Sequence, residues 1–298
     1  MKKILLVAGS AIILSGINAC KEVGPSIDLT PVVVDTSFHE RAFDTTYTEA
    51  VPSADPKKVL VEEYTGVQCT NCPDGAEILK TYEESHPTSI VIAGLHAGSL
   101  TDPVEGESKY DFRNGDVLNM INSYFGENPP KPAAAIDRVK QGGEYFITAR
   151  VAWASYIDQR VALTPPVNID LSSKYDSAHN KVVIKVKIIY TASVNVKQHL
   201  SVWLLEDNLV DVQLYPDHHD PNYVHNHVFR DFITPTIGAS ILDTVDTKSP
   251  GRVYERTFIY TPKKAEWNLD NCRIVAFVHN SESGDKAVAQ VAEVKVKE

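Results

Sequence analysis

Cys69 and Cys72 are separated by two residues, the spacing of a redox-active or disulfide-forming pair. Pro73 follows directly and favours the start of a helix. We therefore expect Cys69 in the first turn of a helix and Cys72 one turn along. Unsatisfied N–H groups and the positive end of a helix dipole stabilise a thiolate there, and the thiolate is the nucleophilic form of cysteine. The pattern predicts a reactive dithiol that closes to a local disulfide.

The segments on either side of this pair are predicted to position it. Val59–Tyr64 is apolar and rich in strand formers, and Thr65-Gly66 interrupts it. After the cysteines, apolar residues recur at helical intervals, at Ala76, Ile78, Leu79 and Tyr82. Strand, turn, CxxC and helix is the order of a thioredoxin-type redox site. The same spacing also suits an inert structural disulfide, because spacing fixes geometry and not turnover.

Residues 57–163 continue as alternating strands and helices. Ser89–Leu95 and Ala133–Asp137 are short apolar strands, and a helix between them ends near Gly126. Ile147–Leu163 is predicted as a last helix. Its apolar face consists of Val151, Ala154, Ile157 and Val161. The order β-α-β-α-β-α predicts an α/β domain whose sheet is covered on both faces.

Pro132 lies directly before the predicted strand at 133–137. In a thioredoxin-like domain a cis-proline lies opposite the CxxC pair, and the backbone beside it pairs with the substrate peptide. The order of elements favours Pro132 over Pro129 or Pro130 for this position. The alternative is an ordinary loop proline, since cis X–Pro bonds are uncommon.

Residues 164–298 change to a β-rich pattern. The predicted strands are Val167–Leu171, Lys181–Tyr190, Ser201–Leu205, Val253–Tyr260, Cys272–His279 and Val288–Lys297. Most of them alternate polar and apolar residues, as half-buried antiparallel strands do. We predict an all-β, sandwich-like domain of about seven strands. Cys272 is expected to be a buried packing residue, with a resolving role for the CxxC pair as the alternative.

The beginning of the chain predicts export. Residues 1–19 have a basic start and an apolar run, and small Ala19 precedes Cys20, as in a lipoprotein signal peptide whose cysteine is acylated. Residues 20–56 are predicted to be mainly a tether, with Pro31–Val34 and Phe43–Tyr47 as candidate short strands. The formal net charge of −10 becomes −12 when the two lysines of residues 1–19 are removed. This acidity disfavours nucleic acid and anionic lipid surfaces as partners.

The histidines offer a further candidate site. His218, His219, His225 and His227 occur with several aspartates, and His225 and His227 would share a strand face. Such a cluster suits zinc or copper, or else a hydrogen-bonded lid between domains. His96 ends a predicted strand near the CxxC pair, where it could lower a thiol pKa or ligate copper together with two thiolates. We predict no metal or cofactor and keep a copper or zinc protein as an alternative.

Three segments carry a family resemblance: EEYTGVQCTNCPDGAEIL, YVHNHVFRDFIT and FVHNSESGDKAVAQVAEV. Together they resemble the outer membrane protein 28-related lipoproteins of Gram-negative bacteria. The resemblance implies a thioredoxin-like domain fused to a β-rich domain, on an outer-membrane lipoprotein that faces the periplasm or the cell surface. Residue by residue, Cys69 matches the nucleophilic position, Cys72 the resolving position and Pro132 the cis-proline.

Two functions from different classes follow. The first is a thiol–disulfide oxidoreductase-like lipoprotein that acts on exported protein thiols or disulfides through Cys69, Cys72 and Pro132. It would be held at the membrane by the lipid on Cys20. The second is a binding or adhesion lipoprotein, in which the CxxC pair is a structural disulfide and the β-rich domain binds a surface ligand. The predicted domains are 57–163 and 164–298 in both cases.

Overall fold

The computed structural model describes residues 38–126 and 128–297, and these residues are mainly β-structure. Strands β1–β7 are Phe43–Thr48, Val59–Thr65, Ile90–His96, Ala133–Ile136, Val167–Asp176, Lys181–Tyr190 and Gln198–Glu206. Strands β8–β14 are Leu209–Leu214, His219–His225, Val228–Phe232, Ala239–Ile241, Arg252–Tyr260, Cys272–Asn280 and Val288–Lys295. The predicted signal peptide, Cys20 and the strand candidate at 31–34 lie outside the described residues.

Three α-helices accompany the strands within the described ranges: α1 (Cys72–Ser85), α2 (Gly115–Met120) and α3 (Trp153–Val161). Helix α2 continues into a π-helical turn, Ile121–Phe125, and left-handed Gly126 ends it, as the sequence predicts. No helix in the described part of the chain has the length and apolarity needed to span a membrane.

The largest sheet crosses the predicted domain boundary at 163/164. Its strand order is β14-β13-β7-β10-β3-β2-β4, with β11 beside β7. Strands β2 and β3 are parallel, whereas β4 is antiparallel to β2. Strand β10 connects the two halves, since it pairs with β3 at Val228 and Gly94 and runs antiparallel to β7. Strands from both predicted domains therefore share one hydrogen-bonded sheet.

Both faces of the β2–β3–β4 region are covered, as predicted. Val59 and Val61 face α1 and α3, in a core that includes Trp153. Leu60 and Tyr64 alternate with them and face the core under α2 and its π-helical turn. Because side chains alternate between the two faces of a strand, only every second side chain of β2 and β3 can contact α1.

A second sheet, β1-β12-β6-β5, packs against β7 and β13. The core between the sheets contains alternate apolar residues of β6, β7 and β13. Cys272 is fully buried in this core as a free thiol, which confirms its predicted packing role. The predicted short strand at 43–47 is present as β1, paired with β12.

Two sequence predictions were wrong in detail. The last helix begins at Trp153 rather than Ile147, and Val151 is 92% exposed in a 3-10 turn instead of buried on the helix. The segment 209–241 contains strands β8–β11, which are absent from the strands predicted for residues 164–298. Residues 164–297 therefore hold ten strands, not about seven. The extra strands are short, so none of them shows a long alternating pattern in the sequence. Among the described residues, β8 and β9 form a two-stranded sheet of their own.

Candidate functional site

Cys69 and Cys72 form a disulfide at the start of α1. The helix begins at Cys72, so Cys69 lies in the turn before it and not in its first turn as predicted. The turn is closed by the Cys72 N–H, which donates to the Cys69 carbonyl at 3.0 Å. Only Cys72 therefore occupies the helix N-terminus, and each cysteine is only 2% exposed.

The β8–β9 hairpin covers the loop that carries the disulfide. Buried Gln213 donates from Nε2 to the Cys69 carbonyl at 3.1 Å, and the Leu214 N–H donates to the Val67 carbonyl at 2.9 Å. Val67 also packs in a small apolar cluster with Leu209 of β8. The hairpin therefore contributes directly to the environment of Cys69, although it lies about 140 residues further along the chain.

A pocket of about 560 Å³ lies beside Cys72. Its lining includes Cys72, Glu63, His96, Tyr223 and His225. Other parts of its wall come from α1 and from the β9–β10 connection. The pocket therefore joins the disulfide to a group of titratable side chains.

Glu63 is the most unusual of these side chains. It lies in β2 on the face toward α1, and its Oε1 atom is buried without a hydrogen-bond partner. A Cβ atom at Gly75 of α1 would lie 3.4 Å from this oxygen, so the carboxyl group lies against the first turns of α1. Burial raises the pKa of Glu63 to about 8 because desolvation disfavours the carboxylate. At neutral pH the group therefore holds a proton in the pocket that Cys72 lines.

His96 and His225 lie together at another part of the pocket. Their ring centroids are 6.1 Å apart, and Phe112 contacts both rings. Burial lowers the pKa of His96 to about 3 and that of His225 to about 4. Both imidazoles are therefore neutral at physiological pH.

Pro132 precedes β4 and is buried, and the Lys131–Pro132 peptide bond is cis. The pairing of Ala133 with Tyr64 places Pro132 at the end of β2 from which the CxxC loop leaves. The structure thus brings Cys69 and Cys72 into contact and places Pro132 at the same end of the sheet. Their catalytic roles stay predictions, and the predicted lipidation site Cys20 lies outside the described residues.

The predicted histidine cluster does not come together. His218 and His219 are exposed and pair with separate carboxylates, whereas His225 is buried in β9. His227 has a left-handed backbone (φ 58°) between β9 and β10, so it does not share a strand face with His225. Within residues 38–126 and 128–297, no three His, Cys, Asp or Glu side chains are placed to hold a metal ion.

Sequence reasoning missed Glu63, Gln213 and His225 as parts of the CxxC site. Glu63 had a recognisable signal, because an acidic residue in an otherwise apolar, central strand must be buried or paired. Gln213 and His225 reach the site only through the β8–β9 hairpin. No local pattern in the sequence indicates that long-range contact.

Gly66 is needed where the chain leaves β2 for the CxxC loop. A Cβ atom there would lie 2.2 Å from the Leu100 carbonyl oxygen, which accepts a hydrogen bond from the Gln68 N–H. We expect Gly66→Ala to lower the free energy of unfolding by about 1–3 kcal/mol, measured by urea denaturation. Gly115→Ala is the matched control, because a Cβ there meets no atom within 4 Å. Equal stability of the two variants would contradict the close approach.

Comparisons with known proteins give a family and a fold. The family model for outer membrane protein Omp28 matches residues 119–298. HBP35 of Porphyromonas gingivalis is similar in structure, with a TM-score of 0.62 and 18% identity over 82% of this chain and 77% of that chain. A domain of the outer membrane lipoprotein Omp28 from Porphyromonas gingivalis has a TM-score of 0.29 and 22% identity over 45% of this chain and 89% of that chain. No curated protein matches.

Proposed function

The chain belongs to the Omp28 family of outer membrane proteins, and from this premise we propose that it is a lipoprotein with a thioredoxin-like redox site. In this proposal the Cys69–Cys72 pair exchanges disulfides with exported proteins. Cys20 would carry the lipid that anchors the chain. The thioredoxin-like assignment is supported by parallel β2 and β3, the CxxC turn between β2 and α1, and Pro132 before β4.

The observation that carries the proposal is the buried Glu63 carboxyl in the pocket that Cys72 lines. A structural disulfide has no need of an unpartnered carboxyl group, which costs free energy to bury. A disulfide that is opened and closed has a use for one, because its thiols must gain and lose protons. A group with a pKa of about 8 can do both near neutral pH.

The proposed cycle starts with the reduced pair. The Cys69 thiolate attacks a substrate disulfide, forming a mixed disulfide at Cys69 and releasing one substrate thiolate, which takes up a proton from solvent. Glu63 releases its own proton to solvent and then accepts the proton of the Cys72 thiol, and the Cys72 thiolate attacks Cys69 Sγ. The second substrate sulfur leaves as a thiolate, and the Cys69–Cys72 disulfide is restored. Pro132 would help to seat the substrate strand beside Cys69.

Trapping of the mixed disulfide tests this cycle. We expect Cys72→Ser to accumulate disulfide-linked envelope proteins through Cys69, because the resolving thiol is absent. Non-reducing gels and mass spectrometry of the lipoprotein from cells measure the adducts. The matched control is Cys69→Ser, which should trap few proteins. If both variants trap the same amount of protein, or neither traps any, in oxidising and in reducing media, then Cys69 is not the attacking residue.

A binding lipoprotein with a structural disulfide is the second candidate. It is favoured by the 2% exposure of both cysteines under the β8–β9 hairpin. The reduction potential separates the two candidates: a value above roughly −230 mV would favour exchange, and a value below about −300 mV would mark a structural disulfide. Binding by the folded Cys69→Ser/Cys72→Ser variant should persist if the β-rich region is the working surface.

A further inference from the structure

We propose that the pocket lined by Cys72 is a groove for an extended peptide segment of a partner protein, and that this segment carries arginine or lysine side chains. Three properties of the lining support this occupant: its length, its negative charge and its polar atoms without partners. Binding here is independent of the proposed disulfide exchange, because the peptide binds whether the disulfide is catalytic or structural. Pro132, the proposed seat of an exchange substrate, is not part of this lining.

The groove is long because it follows one face of α1. Lining residues recur along the helix every four positions, at Cys72, Ala76, Lys80 and Glu84. At 1.5 Å per residue this stripe is about 18 Å long. Residues 223–227, at the end of β9 and in the turn after it, form another wall. An extended peptide rises about 3.3 Å per residue, so roughly five residues match the length of the groove.

The lining carries an excess of negative charge. Besides the protonated Glu63, four carboxylates and two cationic groups line the groove: Glu77, Glu83, Glu84, Asp207, Lys80 and Arg273. Their formal net charge is −2, because burial keeps the pKa of each histidine in the lining well below neutrality. Arg273 is already paired with Asp207 at 3.0 Å and with Glu293 at 2.8 Å. The carboxylates of α1 therefore attract a cationic guest, and the acidity of the whole chain adds to that attraction.

The α1 carboxylates are only weakly paired within the described residues. Lys80 Nζ is shared between Glu77 at 4.0 Å and Glu84 at 3.8 Å. The neighbour of Glu83 is His227, whose Nε2 lies 3.9 Å from Glu83 Oε2 and whose ring is neutral at physiological pH. Partial burial also raises the pKa of Glu83, because desolvation disfavours its charge. A guanidinium or ammonium group among these carboxylates gains ion pairs without displacing a closer one.

Two buried polar atoms of the lining are available to a peptide backbone. Glu63 Oε1 and His96 Nδ1 have no hydrogen-bond partner among the described residues, although buried polar atoms are nearly always paired. The carbonyl oxygen of a protonated carboxyl group accepts an N–H, and so does Nδ1 of a neutral imidazole that has its proton on Nε2. Lys131 and Arg230 act electrostatically on His96, so an uncharged backbone amide suits this ring better than a cation.

These positions set the register of the peptide. Glu63 lies against Gly75 in the first turns of α1, whereas Glu83 is eight residues further along the same helix. That separation is about 12 Å along the helix axis, which an extended chain covers with roughly three or four residues. We therefore expect the basic side chains at that distance from the peptide residue that contacts Glu63.

Fluorescence anisotropy with a labelled peptide, three alanines followed by two arginines, tests the proposal. In the control peptide both arginines are replaced by citrulline, their uncharged isostere. The oxidised wild-type protein should bind the arginine peptide about 10-fold more tightly, and this preference should shrink as the ionic strength rises. Free N-acetylarginine amide should compete weakly, because it lacks the backbone that reaches Glu63 and His96. Equal affinities for the two peptides would overturn the proposal, as would competition by the free amide as strong as that by the peptide.

A pair of glutamate variants separates the groove from general charge attraction. Glu83→Gln should weaken binding of the arginine peptide by about 5-fold and leave binding of the citrulline peptide unchanged. Glu266→Gln is the matched control, because it removes the same charge from a side chain that is 59% exposed and does not line the groove. An equal effect of the two variants would overturn the proposal, since the overall charge alone would then explain the preference.

Amide chemical shifts of the isotope-labelled wild-type protein locate the peptide without any variant. The shifts should change along α1 and at residues 223–227 when the arginine peptide is added. Changes confined to another surface would overturn the proposal. Failure of Cys72→Ser to trap proteins would leave these results unaffected, because no thiol takes part in them.

Discussion

Replacing Glu63 with glutamine is expected to stabilise the protein by about 4 kcal/mol at pH 8 and to change its stability little at pH 4. Folded Glu63 keeps its proton to a pH of about 8, whereas the unfolded chain releases it near the ordinary pKa of 4.5. Between these values the unfolded state binds fewer protons at Glu63 than the folded state does, so the contribution of Glu63 to wild-type stability falls as the pH rises. Each pKa unit corresponds to about 1.4 kcal/mol, and glutamine does not titrate. Urea denaturation at several pH values measures the difference.

Glu77→Gln is the control for this prediction. Glu77 also lines the pocket, but its side chain is 69% exposed, so its replacement should not flatten the pH dependence. A stability difference between Glu63→Gln and the wild type that stays constant from pH 5 to pH 8 would show that Glu63 ionises without cost, and it would contradict a buried, unpartnered carboxyl group at this position.

The same variant links stability to the proposed chemistry. If Glu63 accepts the Cys72 proton, glutamine should slow the resolving step while it stabilises the fold. Stopped-flow measurement of mixed-disulfide resolution should therefore show a slower rate in the more stable protein. A structural disulfide would give the stability gain alone. The pair of measurements thus separates a carboxyl retained for proton transfer from one that is merely buried.

The sequence predicted the elements that have strong local periodicity. Strands β2, β3 and β6 and helix α1 lie close to their predicted bounds, because an apolar run or alternation identifies them. The β8–β9 hairpin was missed because it is short and mixed in polarity. The predicted helix 147–163 was too long, since Val151 fits a helical apolar face but is exposed in a preceding turn.

The site was predictable only where its residues are adjacent in the chain. Cys69 and Cys72 have a spacing that encodes their contact, and the disulfide follows from it. Gln213 and His225 come from a hairpin far along the chain, and their positions depend on β10 joining β3 and β7 in one sheet. No local sequence pattern indicates such long-range strand pairing, so these residues could not be assigned to the site from the sequence.

A buried ion pair lies on the face of β2 opposite Glu63. Arg138 is 1% exposed and makes two hydrogen bonds to the fully buried Glu62, from Nε at 2.9 Å and from Nη2 at 2.7 Å. The guanidinium also lies 4.9 Å from the centre of the Phe277 ring and 5.5 Å from that of Trp203. The pair therefore connects β2 with the β7–β13 part of the sheet.

Breaking this pair should give the largest loss of stability. We expect Arg138→Met to lower the free energy of unfolding by about 3–5 kcal/mol, because it leaves the Glu62 carboxylate buried without a partner. The double variant Glu62→Leu/Arg138→Met should recover most of that loss, since two apolar side chains fill the site without an unpaired charge. Urea denaturation of the wild type, both single variants and the double variant forms a double-mutant cycle.

The double-mutant cycle also shows how the Glu62–Arg138 pair contributes to the stability of the fold. Recovery in the double variant would mean that the charges add little net stability, and that Arg138 stabilises β2 against β7 and β13 mainly by packing among the aromatic rings. If the double variant is as unstable as Arg138→Met, the ion pair itself holds the two halves of the sheet together. A single Arg138→Met loss below about 1 kcal/mol would contradict both explanations, because it would place the pair in contact with water.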